Sequence, residues 1–284
     1  MVYPSLHKKF CCILYGHSEV LINSKKRHAV LLLHGLGGGL AEMSYLKKRL
    51  EEDGFHVEVP LLPGHGTHFS DLKYIKWEVF ADAASQNFER LSSEYESVSV
   101  SGLCLGAVLC LYLGIKYGDK VRAITPISTT LFYDGWSLPY LGRFMTFFRY
   151  TPFYYTYNLP EGEPYGIKDE RIRRWVASKM SDSSTTHYSK IPFRSFWQMH
   201  LLNKFVRANL HKIASPVFAI HPLEDDVSSV KSVEFMKNNI TTSTFDNLIL
   251  HDSYHLATID REKELVAKTV CTFCKEQTQT LRAV

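Results

Sequence analysis

The sequence predicts an α/β domain built on a mostly parallel, doubly wound sheet with an inserted, aromatic-rich cap. The continuous apolar run Ala29–Leu33 reads as a strand buried on both faces, as parallel sheets require, and Val121–Ser128 reads as another buried strand. Those runs alternate with helical patterns. Between Phe132 and Tyr165, however, thirteen of thirty-four residues are aromatic against 13% over the chain, and Pro139, Pro152, Pro160 and Pro164 interrupt them, so this stretch fits neither pattern.

Taken in order, residues 10–15 and 18–23 read as an edge hairpin around Gly16-His17. Strand Ala29–Leu33 ends in His34-Gly35-Leu36-Gly37-Gly38-Gly39, where glycines let the backbone approach a ligand closely. A helix over Ala41–Asp53 stops at Gly54, and a strand over Phe55–Leu62 runs into Pro63-Gly64-His65-Gly66. Helix Trp77–Glu94 leads to strand Ser97–Ser101, and helix Ala107–Lys116 ends at Gly118. The core is expected over 1–128 and 196–284 and the cap over 129–195, with Glu170–Val176 as a cap helix. Strand Ser215–His221, helix Ser228–Asn238, strand Phe245–Leu250 and helix Arg261–Lys275 complete the chain.

Composition excludes several classes. With 284 residues, 45% hydrophobic and 22% charged, the chain is an ordinary globular protein, and a net charge of +4 is mild for that length. The basic clusters Lys25-Lys26-Arg27 and Lys47-Lys48-Arg49 read as solvated faces rather than a nucleic-acid footprint. No apolar run approaches the ~20 residues that span a bilayer. Phe10–Tyr15 is too short for a signal-peptide core, so a cytoplasmic compartment and reduced thiols at all six cysteines are expected. The Cys271-Thr272-Phe273-Cys274 spacing falls in a helical pattern and is expected to face the core.

The chemistry centres on Gly102-Leu103-Cys104-Leu105-Gly106. A strand that turns at once into a helix, with glycine two residues before and after the turn, is a nucleophile elbow, here with Cys at its centre. Two further strand ends carry the acidic turn Glu224-Asp225-Asp226 and the histidines His251 and His255. In a parallel sheet all three strand ends lie on one edge, so nucleophile, acid and base converge there in that chain order. A metal pair at His251 and His255 lacks both a helix and a third ligand, and no cofactor is expected.

These motifs together resemble the α/β-hydrolase superfamily, and within it the bacterial carboxylesterase and monoacylglycerol-lipase-like group. The resemblance rests on His34-Gly35 with its glycines, Pro63-Gly64-His65-Gly66, the elbow, Asp225 before Val227, and Ser253-Tyr254-His255-Leu256-Ala257-Thr258-Ile259-Asp260. It implies Cys104 as nucleophile, His255 as general base and Asp225 as the group orienting it, with Asp226 and Glu224 as rival acids and His251 as rival base. It also implies an oxyanion hole from the backbone N–H groups of Leu36 and Leu105.

Most members of that group carry Ser where this chain has Cys104. A thiol ionises near pH ~8.5 and more readily beside a histidine or a helix N-terminus, so partial thiolate–imidazolium character is expected. The expected activity is acyl hydrolysis of an apolar ester or thioester. The dienelactone hydrolases show that a Cys elbow serves hydrolysis. Polyhydroxyalkanoate synthases, with the same elbow, suggest transfer to an amine, thiol or alcohol instead, and a silent ligand-binding member is a third reading. Acyl-coenzyme A or acyl carrier protein is a candidate donor, with Arg171, Arg173 and Arg174 as its anion contacts or, more simply, a solvated helix face.

Overall fold

A computed structural model describes residues 26–66, 69–137, 147, 149–160, 162–180, 190–241 and 244–279. The expected hairpin at 10–23, with Cys11 and Cys12, lies outside the described residues. Eight strands and seven helices of more than one turn organise what is described: β1 (Lys26–Leu33), α1 (Leu40–Glu52), β2 (His56–Glu58), α2 (Trp77–Glu94), β3 (Tyr95–Leu103), α3 (Leu105–Tyr117), β4 (Val121–Ile127), β5 (Asn158–Pro160), α4 (Glu170–Met180), β6 (Lys190–Pro192), α5 (Phe193–Asn209), β7 (Val217–Pro222), α6 (Lys231–Asn239), β8 (Phe245–Leu250) and α7 (Lys263–Gln279).

Six strands form one sheet in the order β2-β1-β3-β4-β7-β8, every pair parallel. The chain moves outward from β1 to β2 and then returns to β3 on the other side of β1. That reversal opens a crevice between the loops after β1 and β3, where ligands bind in open α/β sheets. Period-two alternation explains how β1 is buried on both faces. Ala29, Leu31 and Leu33 join one apolar cluster with α2, α3 and α5, while Val30 and Leu32 join a second with α1 and α7.

Three elements differ from the sequence expectation. β2 spans only His56–Glu58 because Pro60 and Pro63 offer no ladder N–H. Helix α6 starts at Lys231, since the residues before it form the turn around Asp225. Helix α5 was not anticipated at all, although its buried Phe193, Phe196, Trp197, Met199, Leu202, Asn203 and Val206 recur at helical spacing. On α1, the basic cluster 47–49 is paired: Lys47 with Glu51 at 3.7 Å, Lys48 with Glu52 at 3.9 Å, and Arg49 with Glu52.

Between β4 and α5 the described chain carries a small antiparallel pair, β5 with β6, and the helix α4. Asp260 fastens this stretch over the sheet edge. It accepts the N–H groups of Lys168 at 2.8 Å, Asp169 at 2.9 Å and Tyr254 at 2.8 Å, and Leu256 N–H donates to Gly166 O at 2.8 Å. Cys271 and Cys274 of α7 are free and buried in the second apolar cluster, where burial pushes both thiols up to about 12. No described helix is long and apolar enough to cross a membrane.

Candidate active site

Cys104 sits between the end of β3 and the first turn of α3 with φ 55° and ψ −111°. A positive φ at a residue with a Cβ costs about 1–3 kcal/mol, so the surroundings must enforce it. Two glycines explain how. A Cβ on Gly106 would lie 1.9 Å from Leu33 O, and one on Gly102 would lie 2.5 Å from the Gly106 carbonyl. Helix α3 can therefore begin directly against β1 and β3. Cys104 N–H donates to Ile127 O at 3.1 Å, which ties the turn to β4 as well.

Asp225 lies in the loop after β7 and is buried. Its Oδ1 accepts Val227 N–H at 2.8 Å and Ser228 N–H at 2.9 Å, so the carboxylate is held by its own loop. His255 Nδ1–H donates to Oδ1 at 2.9 Å and Oδ2 at 2.8 Å. Below the pair, His221 Nε2–H donates to Ser228 O at 2.8 Å and lies 3.5 Å from Asp225 Oδ2. Burial alone would raise the Asp225 carboxyl, but the imidazole of His255, then that of His221 and the Ser228 N–H, bring it below its usual range. Burial likewise disfavours the His255 imidazolium, yet Asp225 and then Cys104 outweigh it and hold it well above its usual value. Among the described residues the remaining ring nitrogen of His255, Nε2, has no close hydrogen bond, and Cys104 is the thiol within its electrostatic reach.

The other candidates are placed elsewhere. Asp226 accepts His255 N–H at 3.3 Å rather than its ring, and burial raises its carboxyl. Glu224 pairs with Lys168 at 2.9 Å. His251 is exposed, its N–H donating to Glu262 at 3.3 Å. Of Arg171, Arg173 and Arg174, Arg173 donates to Ile167 O at 3.0 Å and Lys168 O at 3.3 Å, Arg174 donates to Glu170 O at 3.3 Å, and none lines the cavity described below. Among the described residues no group of three or more His, Cys, Asp or Glu side chains converges as a metal site.

The loop 34–39 is organised by two buried histidines whose roles the sequence did not reveal. His34 Nδ1–H donates to Gly35 O at 2.9 Å, and its Nε2 accepts Leu62 N–H at 3.0 Å. His65 Nδ1–H donates to Pro63 O at 3.2 Å, and its Nε2 accepts Gly37 N–H at 3.0 Å. The rings meet edge to face at 4.7 Å. Burial, aided by His65, lowers His34 to about 4, and burial also lowers His65, so both act as neutral connectors. Gly35, Gly37 and Gly38 N–H groups are engaged, to Glu42, His65 and Gly35 O respectively. Leu36 N–H takes part in none of these bonds, and Leu105, the first residue of α3, presents one of the N–H groups a helix leaves unpaired.

A third residue with an unanticipated role is Thr130, whose Oγ1 lies 3.5 Å from Cys104 Sγ and 3.3 Å from Ser128 O. Buried Asn203 of α5 holds it by donating to Thr130 O at 2.7 Å. Above Cys104 and His255 opens a cavity of about 760 Å³. Leu159, Ile172, Val176, Ile191, Phe196 and Met199 give it an apolar wall. A smaller cavity of about 270 Å³ lies at the opposite end of the strands, by Arg27, Asp53 and Lys275, and contains none of this chemistry.

Known proteins are similar to this chain over most of its length. The carboxylesterase of Bacillus subtilis (strain 168) is 28% identical over 250 residues, 87% of this chain and 92% of that one. The thermostable monoacylglycerol lipase of Bacillus sp. (strain H-257) is 25% identical over 249 residues, 86% and 89% of the two chains. A solved structure from the work on LipS and LipT, two metagenome-derived lipolytic enzymes, superposes with a TM-score of 0.75 at 23% identity over 89% of this chain and 95% of that one. A soluble variant of monoglyceride lipase from Saccharomyces cerevisiae superposes with a TM-score of 0.74 at 15% identity, over 89% and 88%. These two establish the fold. The family described as Serine aminopeptidase, S33 matches residues 24–262, and the chain belongs to that family of α/β hydrolases.

Proposed function

We propose that this protein is an acyl hydrolase that cleaves an ester or thioester with an apolar acyl group by way of an acyl-thioester on Cys104. The observation that carries the reading is the convergence of Cys104, His255 and the buried Asp225 at the base of a cavity with an apolar wall. The carboxylesterase and lipase relatives support the same substrate class. In this reading His255 is the general base, Asp225 fixes its ring with Nδ1 protonated, and residues 129–195 form a cap that supplies Leu159, Ile172, Val176 and Ile191 to the acyl wall, with Phe196 and Met199 added by α5.

Cys104 Sγ attacks the acyl carbonyl carbon, and the thiol proton resides on His255 Nε2. The new C–S bond pushes the carbonyl electrons onto oxygen, where the N–H groups of Leu36 and Leu105 receive the charge. When the oxyanion collapses, the bond to the leaving group breaks, and His255 returns the proton to the departing alcohol or thiol. Water then enters, gives a proton to His255 and attacks the thioester carbonyl. A second tetrahedral species expels Cys104, whose sulfur takes back the proton from His255, and the acid is released. Thr130 Oγ1–H, at 3.5 Å from Sγ, steadies the sulfur each time it carries charge.

The wall sets the substrate. Each methylene buried against it contributes about 0.8 kcal/mol, so acyl chains of medium length gain affinity until the cavity is filled. The test is a series of p-nitrophenyl esters and acyl-coenzyme A thioesters from two to twelve acyl carbons. A maximum at intermediate length with release of free acid supports the proposal. A flat series overturns the cap assignment, and acyl-Cys104 that persists until an amine, thiol or alcohol is added makes the protein a transferase.

A further inference from the structure

Glu42 is a carboxyl next to this chemistry that the steps above do not use. It lies in the first turn of α1, is half-buried, and lines the same cavity as Cys104 and His255. Its Oε2 accepts Gly35 N–H at 3.1 Å, and it also accepts the N–H of Gly39, the residue that caps α1. Two glycines close around it. A Cβ on Gly38 would stand 1.9 Å from Glu42 Oε1, while one on Gly35 would stand 3.3 Å from Oε2 and 3.4 Å from Cys104 Cβ. The glycines of this loop thus make room for a carboxyl, and Gly35 alone separates it from the nucleophile position. Leu36, the proposed oxyanion donor, is held inside that wrap.

The charges around Glu42 make it distinctive. Burial raises its carboxyl to about 7, against the lowering effects of Gly35 N–H, the His255 imidazole and Gly39 N–H. The titratable and charged groups on the surrounding elements are Cys104 after β3, Asp226 after β7, His255 after β8, Lys263 of α7, and Tyr45 and Lys48 of its own helix. His34 and His65 bound the loop on its inner side and are neutral near pH 7.

We propose that Glu42 is a positioning residue for acyl transfer: its carboxyl pins the loop Gly35–Gly39 so that Leu36 N–H meets the oxyanion. Loss of its proton to solvent places a negative charge beside that oxyanion and slows the step. The inference rests on the hydrolase reading. It explains why a half-buried carboxyl occupies a loop whose task is to receive negative charge. A neutral acid keeps an oxygen for the N–H groups without opposing the reaction.

The test compares wild type, E42Q and E42A. Gln keeps a carbonyl oxygen for Gly35 and Gly39 but has no proton to lose. Wild-type kcat should fall as pH rises through about 7. E42Q should lack that falling limb, and E42A should lose kcat on the order of 10- to 100-fold with little change in KM, as misplacement of a transition-state donor does. Hydrogen exchange of the peptide spanning residues 35–39 reads the loop without any substrate: faster in E42A, restored in E42Q. An active E42Q that keeps the alkaline limb, or an E42A with wild-type exchange and kcat, overturns the proposal. A wild type that turns over no ester or thioester and takes up no acyl group overturns the hydrolase reading, and the exchange result then judges the loop role by itself.

Discussion

Replacing Asp225 by Asn separates the orienting carboxylate from the rest of the site. The Asn oxygen still accepts Val227 and Ser228 N–H in place of Oδ1, so the loop retains its two bonds of 2.8 and 2.9 Å. What changes is the partner of His255 Nδ1. An amide NH₂ turned toward the ring requires Nδ1 to accept, which moves the ring proton to Nε2, the nitrogen that must receive the thiol proton. The carboxylate that holds the imidazolium well above its usual value is also removed. A wrong tautomer in a triad lowers the rate by about 10³–10⁴, or ~4–5.5 kcal/mol of transition-state stabilisation. Stability should fall, because the partners that hold the Asp225 carboxyl below its usual value outweigh the burial that opposes its charge. A loss of about 1 kcal/mol corresponds to a few degrees in Tm for a chain of this size. Rapid-quench mass measurement of Cys104 acylation, paired with calorimetry, reads both numbers. An Asp225→Asn protein that acylates within tenfold of wild type refutes the role assigned to the carboxylate.

Other substitutions address the remaining parts. Gly106→Ala places a methyl 1.9 Å from the Leu33 carbonyl, backbone against backbone, and should destabilise by about 2–3 kcal/mol in urea unfolding. Ile191→Trp should fill the acyl end of the cavity, raising KM for eight-carbon esters while leaving two-carbon esters unaffected. Iodoacetamide should modify half-buried Cys104 well before buried Cys110, Cys271 and Cys274, as peptide mapping over time would show. The Asp225–His255 pair also shapes stability against pH. The lowered Asp225 carboxyl contributes above its unfolded value of 3.8, and that contribution disappears as pH falls through the lower folded value. The raised His255 contributes fully below its unfolded 6.5, and that contribution disappears as pH rises through the higher folded value. The stability gap between wild type and a His255→Gln variant should therefore be widest from about pH 4 to 6.5 and narrow at higher pH. A gap that grows with pH in chemical denaturation would contradict the assigned direction.

The sheet was legible because its determinants are local. Ala29–Leu33 is apolar on both faces, Val121–Ile127 is buried apart from Arg122, and Gly102 and Gly106 mark the turn that their missing side chains make possible. Chain order then pointed to the acidic turn Glu224–Asp226 and to His251 and His255, since parallel strands deliver their ends to one edge, and the family resemblance singled out Asp225 and His255. Roles that depend on loop closure were not legible. Glu42 reads in sequence as a helix-start carboxyl, and only the path of residues 35–39 brings it beside Cys104. His34 and His65 are separated by thirty intervening residues, and their mutual brace exists only once two loops meet. Thr130 falls two residues past the expected strand Val121–Ser128, and only Asn203 of the unanticipated α5 fixes it near the sulfur. Asp260 lay within a motif noted for His255, yet its work is to bind the segment 166–169 across the sheet edge.

The most direct test of the account is where the acyl group goes. Intact-protein mass spectrometry after mixing with a medium-chain activated ester, followed by peptide mapping, should find one acyl group per chain on Cys104. The adduct should decay in buffer to free enzyme and acid, and it should be absent from Cys104→Ala. Acylation mapped to another residue, or a Cys104→Ala protein that hydrolyses the ester at the wild-type rate, would contradict the central claim.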